Sequence, residues 1–357
     1  MKILILGGAG FVGSSIALDL KNCSEKHDIT VFDNLHRRGS ELNLERFKKQ
    51  NIQFFHGDIR QSGDLNDIGL SFDLMIDASA EPSVHAGQDG RGLSYLLQTN
   101  LVGTLNALEF CRRQCGGMIF LSSSRVYPIN TLRGLILDED ADRLSLSKKN
   151  DLPGLSAEGI SEALPVFNHG YRSFYGSSKL SSELFVEEYS TLFSLPCIVN
   201  RCGVIAGPGQ FGKTDQGVFT LWVAKHQYGG SLRYTGFGGS GKQVRDLLHP
   251  SDLCQLIRLQ MDRLGEYSGD VFSVGGGNDG SVSLKEYSAI CREVSGRDIP
   301  IDSSAETSPV DIPWFISDTR KAKEAFQWAP DRSPFEIAKE ISSWLQKDEA
   351  RLRSIFD

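Results

Sequence analysis

Tyr175 and Lys179, in the run Tyr-Gly-Ser-Ser-Lys, stand four positions apart and share one face if the segment is helical. A phenol with a pKa of about 10 is a poor base at neutral pH. A nearby ammonium, together with the positive nicotinamide of an oxidised dinucleotide, favours the phenolate. The phenolate can take the proton of an alcohol while the adjoining C–H leaves as hydride. A second hydroxyl must then hold the oxygen as it becomes a carbonyl. The triple serine Ser122-Ser123-Ser124 follows an apolar run and supplies that group. Ser123, four residues before Tyr127, is the first candidate and Ser124 the second.

A hydride needs an acceptor, and the N-terminus offers a place for one. Gly7, Gly10 and Gly13, in Gly-Gly-Ala-Gly-Phe11-Val12-Gly, follow an apolar run and open a helix-like stretch. The first glycine makes the tight turn and the second admits a pyrophosphate. The third lets helix and strand pack, so that the helix N-terminus faces the phosphate charge. Asp33, before Asn34, ends the second apolar run, where a carboxylate accepts from ribose hydroxyls and repels a 2′-phosphate. Arg37 and Arg38 pull toward NADP, but Asp33 favours NAD. Asp58 and Ile59 follow the third run at the expected adenine site, with Asp58 alternatively capping a helix. Ala78-Ser79-Ala80, after the fourth run, is small enough for close cofactor approach.

Strands must present these groups. Lys2–Leu6, Ile29–Asp33, Ile52–His56, Leu74–Asp77, Met118–Ser122 and Cys197–Arg201 read as strands, several apolar almost throughout. Val12–Lys21, Leu93–Arg113 and Phe174–Phe193 read as helices between them. The alternation predicts an α/β fold, a Rossmann-type doubly wound parallel sheet. Residues 1–202 would form the dinucleotide domain. Residues 203–357, looser and dotted with glycine turns, would form mainly a smaller α+β substrate lobe with a discontinuous boundary. The polar stretch 128–170 reads as an insertion or lid beside the site. The charged tail, 347–357, reads as a helix end or frayed.

The net charge of −7 and the lack of a basic stripe argue against nucleic acid. No apolar run reaches the roughly 20 residues of a membrane helix. The chain opens on a strand with no signal-peptide order before it. None of the seven cysteines forms a CxxC; Cys111 and Cys115 suit packing, and no metal site is expected. Reduced thiols and a cytoplasmic location follow as expectations.

These motifs together resemble the extended short-chain dehydrogenase/reductase family, the nucleotide-sugar epimerases and dehydratases. The resemblance runs over nearly the whole chain. It includes Thr99-Asn100-Leu101-Val102-Gly103-Thr104, Ser122-Ser123-Ser124-Arg125-Val126-Tyr127, residues 241–249 around Lys242-Gln243-Val244-Arg245-Asp246, and Asp318-Thr319-Arg320-Lys321 with Trp328-Ala329-Pro330. Thr214-Asp215-Gln216-Gly217 and the Lys242–Asp246 run look like the branch that epimerises carbon 2 of CDP-linked deoxysugars.

The resemblance implies NAD as cofactor, with Asn100 and Arg38 among its contacts. It implies a nucleotide sugar as substrate, CDP-linked by preference, held by Arg201, Gln216, Gln243 and Arg245, with Arg245 on the pyrophosphate. His249 reads as structural. A homodimer or homotetramer is implied, the dimer built on helices 93–113 and 174–193. The activity implied is inversion of a sugar stereocentre through a keto-sugar, with UDP-sugar 4-epimerisation or another nucleotide-sugar dehydratase or decarboxylase reaction as alternatives. A non-catalytic dinucleotide sensor is a further reading. Dehydratases of this family place Asp-Glu where this chain has Ser124-Arg125, which speaks against 4,6-dehydration.

Overall fold

The computed structural model describes residues 1–23, 27–168, 170–212 and 216–356. Seven parallel strands form the central sheet: β1 Lys2–Leu6, β2 Asp28–Asp33, β3 Gln53–His56, β4 Leu74–Asp77, β5 Met118–Ser123, β6 Cys197–Cys202 and β7 Val271–Val274. Their spatial order is β7-β6-β5-β4-β1-β2-β3. Connections run one way from β1 and the other way from β4. A crevice therefore opens between them at the carboxyl ends, where ligands bind in such sheets.

Alternate side chains feed two cores. Ile3, Ile5 and Ile76 point to one face, beneath α1 Phe11–Asn22 and the helix Pro250–Asp262. Leu4, Leu6, Met75 and Phe120 point to the other, with Ala107 and Leu108 of α2 Gly103–Gln114 and Val186 of α3 Phe174–Phe193. Burial on both faces accounts for the near-continuous apolar strands.

The helix predicted over 93–113 divides into a short helix, Leu93–Leu97, a π-helical turn, Gln98–Val102, and α2. At the turn, the Asn100 carbonyl accepts from the Thr104 and Ser182 hydroxyls, both at 2.8 Å. Side chains thus take up an oxygen inside the helical ladder.

Two features add to the sequence reading. β7 extends the sheet beyond β6, and Pro250–Asp262 packs on α1, so the division at 202/203 is crossed by chain returning to the sheet. The segment 128–170 holds a short helix and two small hairpins. Ile129, Leu132, Ile160 and Leu164 are buried with Trp314 and Phe315, and no described residue of the segment lines the cavities below. Its apolar side chains pack against Trp314 and Phe315.

The smaller lobe gathers helices Val218–Tyr228, Leu284–Ser295 and Pro334–Lys347 around Phe219, Trp222, Tyr287 and Ile341. The strand Val244–Leu248 pairs with Val204–Ile205, Ser281–Ser283 and Trp314–Phe315. The tail forms a helix, Glu349–Phe356, that buries Leu352 and Phe356 in this lobe and is not frayed. Among the described residues, no helix is long and apolar enough to cross a membrane.

Candidate active site

Ser173 caps α3, its hydroxyl accepting from the Gly176 N–H at 3.1 Å, so Tyr175 lies in the first turn and Lys179 one turn on. The helix is bolted in place from behind. Asn100 Nδ2 donates to Ser178 Oγ at 3.2 Å, and that hydroxyl donates to the Tyr175 carbonyl at 2.8 Å. Tyr175 and Lys179 share a cavity of about 870 Å³ with Ser123, Ser124 and Arg125 from the end of β5. Ser123 acts on the Tyr175 phenol and lowers it, and its oxygen accepts from the Arg125 N–H at 3.1 Å.

The electrostatics of the pair differ from the simple expectation. Burial raises the Tyr175 phenol above its ordinary value, opposed by Ser123 and the Arg125 charge. Burial lowers the Lys179 ammonium, opposed chiefly by Asp77. Lys179 Nζ donates to the Leu121 carbonyl at 2.9 Å and stands 4.5 Å from the Phe120 ring centroid. Helical spacing places the two residues on the wall of one cavity.

A second cleft, of about 260 Å³, lies against the glycine turn. Gly7, Gly10, Phe11, Val12, Asp33, Asn34, Arg38, Ile59, Ala78, Ser79 and Ala80 line it, as the sequence predicts. Gly7 has φ +64°, and a Cβ there would stand 2.6 Å from Ser79 Cα. A Cβ at Gly13 would collide with the Gly7 carbonyl oxygen. Asp33 turns one oxygen to the Ala9 N–H at 3.0 Å and the other to the Leu35 N–H at 2.8 Å. Val12, Ala78, Ala80, Gln210 and Gln216 line both spaces, so cleft and cavity are continuous.

Three expected ligands lie elsewhere. Asp58 is not among the residues lining the cleft, although Asn34, which is, donates to it at 3.0 Å; both its oxygens take Arg60, at 2.9 and 2.7 Å, and this guanidinium lowers its carboxyl to about 2. Asp58 caps no helix either, since Gln61 is the cap of Ser62–Asn66. Asn100 is buried and brackets the loop after β4, accepting from the Glu81 N–H at 2.8 Å and donating to the Glu81 carbonyl at 3.0 Å. It positions cavity-lining residues without touching the cavity. Arg201 is 7% exposed and belongs to a buried ion pair with Glu183 at 2.7 Å.

Gln216, Gln243 and Arg245 do line the cavity, whereas Thr214 and Asp215 lie outside the described residues. Asp311 anchors Arg245 at 3.0 Å. His249 caps Pro250–Asp262, a structural role. Sequence reasoning missed His36, Tyr95 and Thr99 in the cleft and Asp311 in the cavity. The loop Ser308-Pro-Val-Asp311 follows no motif, and Tyr95 is placed by contacts from other elements, His36 at 4.4 Å between ring centroids and the Arg60 guanidinium 4.6 Å from its centroid.

A dinucleotide cleft joined to a Tyr/Lys/Ser cavity is the arrangement of a redox isomerase or dehydratase. A model of the NAD dependent epimerase/dehydratase family matches residues 3–275. The chain belongs to this family. CDP-paratose 2-epimerase of Salmonella typhi is 29% identical over 356 residues, covering 96% of this chain and 99% of that protein. A dTDP-glucose 4,6-dehydratase of Streptomyces niveus is 27% identical over 286 residues, covering 78% and 74%. Among solved structures, Pal from Bacillus thuringiensis superposes with a TM-score of 0.80 at 25% identity, covering 97% and 99%. UDP-glucuronic acid 4-epimerase from Bacillus cereus, solved with UDP-glucuronic acid and NAD, shares the fold with a TM-score of 0.76 at 22% identity, covering 97% and 99%.

This member of the epimerase/dehydratase family is an enzyme that uses NAD. The chain fits that cofactor. The glycine turn leaves no room for side chains where the pyrophosphate approaches, and Asp33 faces the cleft with a carboxylate that disfavours a 2′-phosphate.

Proposed function

We propose that this chain inverts one stereocentre of a nucleotide-linked sugar, carbon 2 of a CDP-linked deoxysugar, by oxidising and re-reducing the same carbon. The observation that carries this reading is the seating of Tyr175 and Ser123 together in a cavity continuous with the cofactor cleft. Likeness to the Salmonella typhi epimerase along almost its full length supports the choice of sugar.

When bound, NAD supplies the hydride acceptor and donor and, oxidised, a positive ring that favours the Tyr175 phenolate. Tyr175 takes the proton of the sugar hydroxyl and later returns it. Ser123 donates to the same oxygen while it is a carbonyl. Lys179, fixed by the Leu121 carbonyl, keeps further N–H donors for the nicotinamide ribose. Gln216 and Gln243 each present an amide oxygen without a partner. Arg245 uses three N–H groups on Val244, Asp311 and Ile312, leaving Nε and one Nη1 hydrogen for a phosphate. A space of about 870 Å³ leaves the oxidised sugar room to turn.

A panel of CDP-, UDP-, GDP- and dTDP-sugars, read by thermal stabilisation of the NAD-loaded protein, tests the choice of nucleotide. The largest shift is expected from a CDP-sugar; a larger one from a UDP-sugar would move the reading to 4-epimerisation. In heavy water, direct oxidation leaves the inverted carbon free of deuterium, and incorporation there would sink it. Absence of any transient reduced NAD with every sugar would favour a sensor.

We also propose that two copies pair through α3. Its Phe174, Leu184, Phe185, Leu192 and Phe193 are exposed, Leu192 by 69%, which is a large apolar stripe for one helix in water. Phe185→Glu with Leu192→Glu should give a monomer by sedimentation; an unchanged mass would refute this interface. A cytoplasmic location suits the buried, unbridged thiols of Cys111, Cys197, Cys202, Cys254 and Cys291.

A further inference from the structure

Arg125 is a charge that no part of the chain uses up. Its guanidinium lines the large cavity, donates once, to the Val310 carbonyl at 3.3 Å, and pairs with no carboxylate among the described residues. Asp311, the acid nearest in effect, is already held by Arg245 at 3.0 Å. Two arginines therefore share one acid on this wall. An arginine removed from bulk water without a partner is costly unless something else satisfies it. Its position is fixed from both ends: Ser123 Oγ accepts from its N–H, and the start of α3 packs on its carbonyl so tightly that a Cβ at Gly176 would collide with it. Gly176 adjoins Tyr175, so the Arg125 backbone stands at the reacting end of the cavity, and its side chain, held by the Val310 carbonyl, is near enough for its charge to act on the Tyr175 phenol.

We propose that Arg125 contacts the sugar beside the reacting carbon, and that it steers the reaction to inversion because it can neither give nor take a proton there. This rests on the reading of the cavity as a nucleotide-sugar site. The planar fork suits two neighbouring sugar oxygens. Expelling water from a sugar needs a group that protonates the leaving oxygen and one that removes a carbon-bound proton. Arginine stays charged at any working pH and supplies neither. A fixed positive charge here also favours the Tyr175 phenolate. Among the groups that act on that phenol, Arg125 lowers it, whereas Cys202 and Glu81 raise it.

Arg125→Met and Arg125→Lys, each in the NAD-loaded protein, separate the possibilities. Arg125→Met should weaken a nucleotide sugar about tenfold or more, as expected for a lost hydrogen bond from a charged group, while leaving the bare nucleoside diphosphate unaffected. It should also move the acid limb of turnover, and the ultraviolet titration of Tyr175 taken against Tyr175→Phe, to higher pH. Arg125→Lys should keep the titration and lose the sugar affinity. Equal weakening of sugar and diphosphate, or an unmoved titration in the methionine variant, would overturn the proposal. If no nucleotide sugar binds the unaltered protein, the reading of the cavity fails on its own, and the titration, which needs no substrate, still decides whether Arg125 acts on Tyr175.

Discussion

Tyr175→Phe should lower turnover about a thousandfold and leave NAD affinity unchanged. Positioned proton transfer is worth roughly a hundred- to ten-thousandfold, and the substitution removes the proton carrier and little else. The ring stays, α3 keeps its Ser173 cap, and no residue of the glycine turn is touched. Other groups on the cavity wall are poor substitutes. Burial pushes the Cys202 thiol up to about 12. Asp311 is held by Arg245. His85 shares its Nδ1 with Gln88 at 3.1 Å. The phenol is the base, so activity should rise with pH through its ionisation in the loaded enzyme. Because burial raises that pKa and Ser123 opposes it, Ser123→Ala should move the limb to higher pH as well as slowing the reaction. Turnover and NAD titration on the same preparation check this. A phenylalanine variant within tenfold of the unaltered enzyme would remove Tyr175 from the chemistry.

The strands carrying this site were readable because they are buried on both faces. A strand such as Leu74-Met75-Ile76-Asp77 has no solvent side to blur its apolar run, and the polar residue ending it marks the ligand edge. β7 obeys the same physics over four residues, Val271-Phe-Ser-Val274, with a serine inside, and follows a long excursion through the smaller lobe. Nothing local announces that the chain has come back. The dinucleotide turn was legible because glycine is demanded by backbone contacts between neighbours in sequence and one adjacent strand. Asp58 and Asn100 were misplaced for the opposite reason. A polar residue after a strand or on a facing helix can turn toward the ligand or toward other protein groups, and the choice depends in part on partners distant in sequence: Asn34, beside the local Arg60, for Asp58, and Glu81 and Ser178 for Asn100. The large cavity was the least legible part, because Asp311, Lys225 and Arg233 arrive on a loop, a helix and a strand with no common period.

Arg201 sharpens that lesson into a second large effect. An arginine at the carboxyl end of a central strand reads as a substrate ligand, yet here it is buried between β6 and α3. Its Nη2 meets Glu183 Oε2 at 2.7 Å and its Nη1 donates to the Tyr127 hydroxyl at 3.3 Å. Ser122 donates to the other Glu183 oxygen, and Tyr127 in turn donates to the Ser161 carbonyl at 3.1 Å. Burial alone would make the guanidinium less basic, but the Glu183 carboxylate outweighs it and the net shift is upward. Removing one member of such a pair leaves a charge in a poorly hydrated interior, at about 3–5 kcal/mol. Glu183→Ala should lose that much stability in reversible unfolding. Glu183→Leu combined with Arg201→Met removes both charges at similar volume and should recover most of it. The double variant also separates structure from binding. With Arg201 acting only as a brace, the refolded double variant keeps the KM for its nucleotide sugar; a tenfold rise in KM with stability restored would return Arg201 to the substrate site.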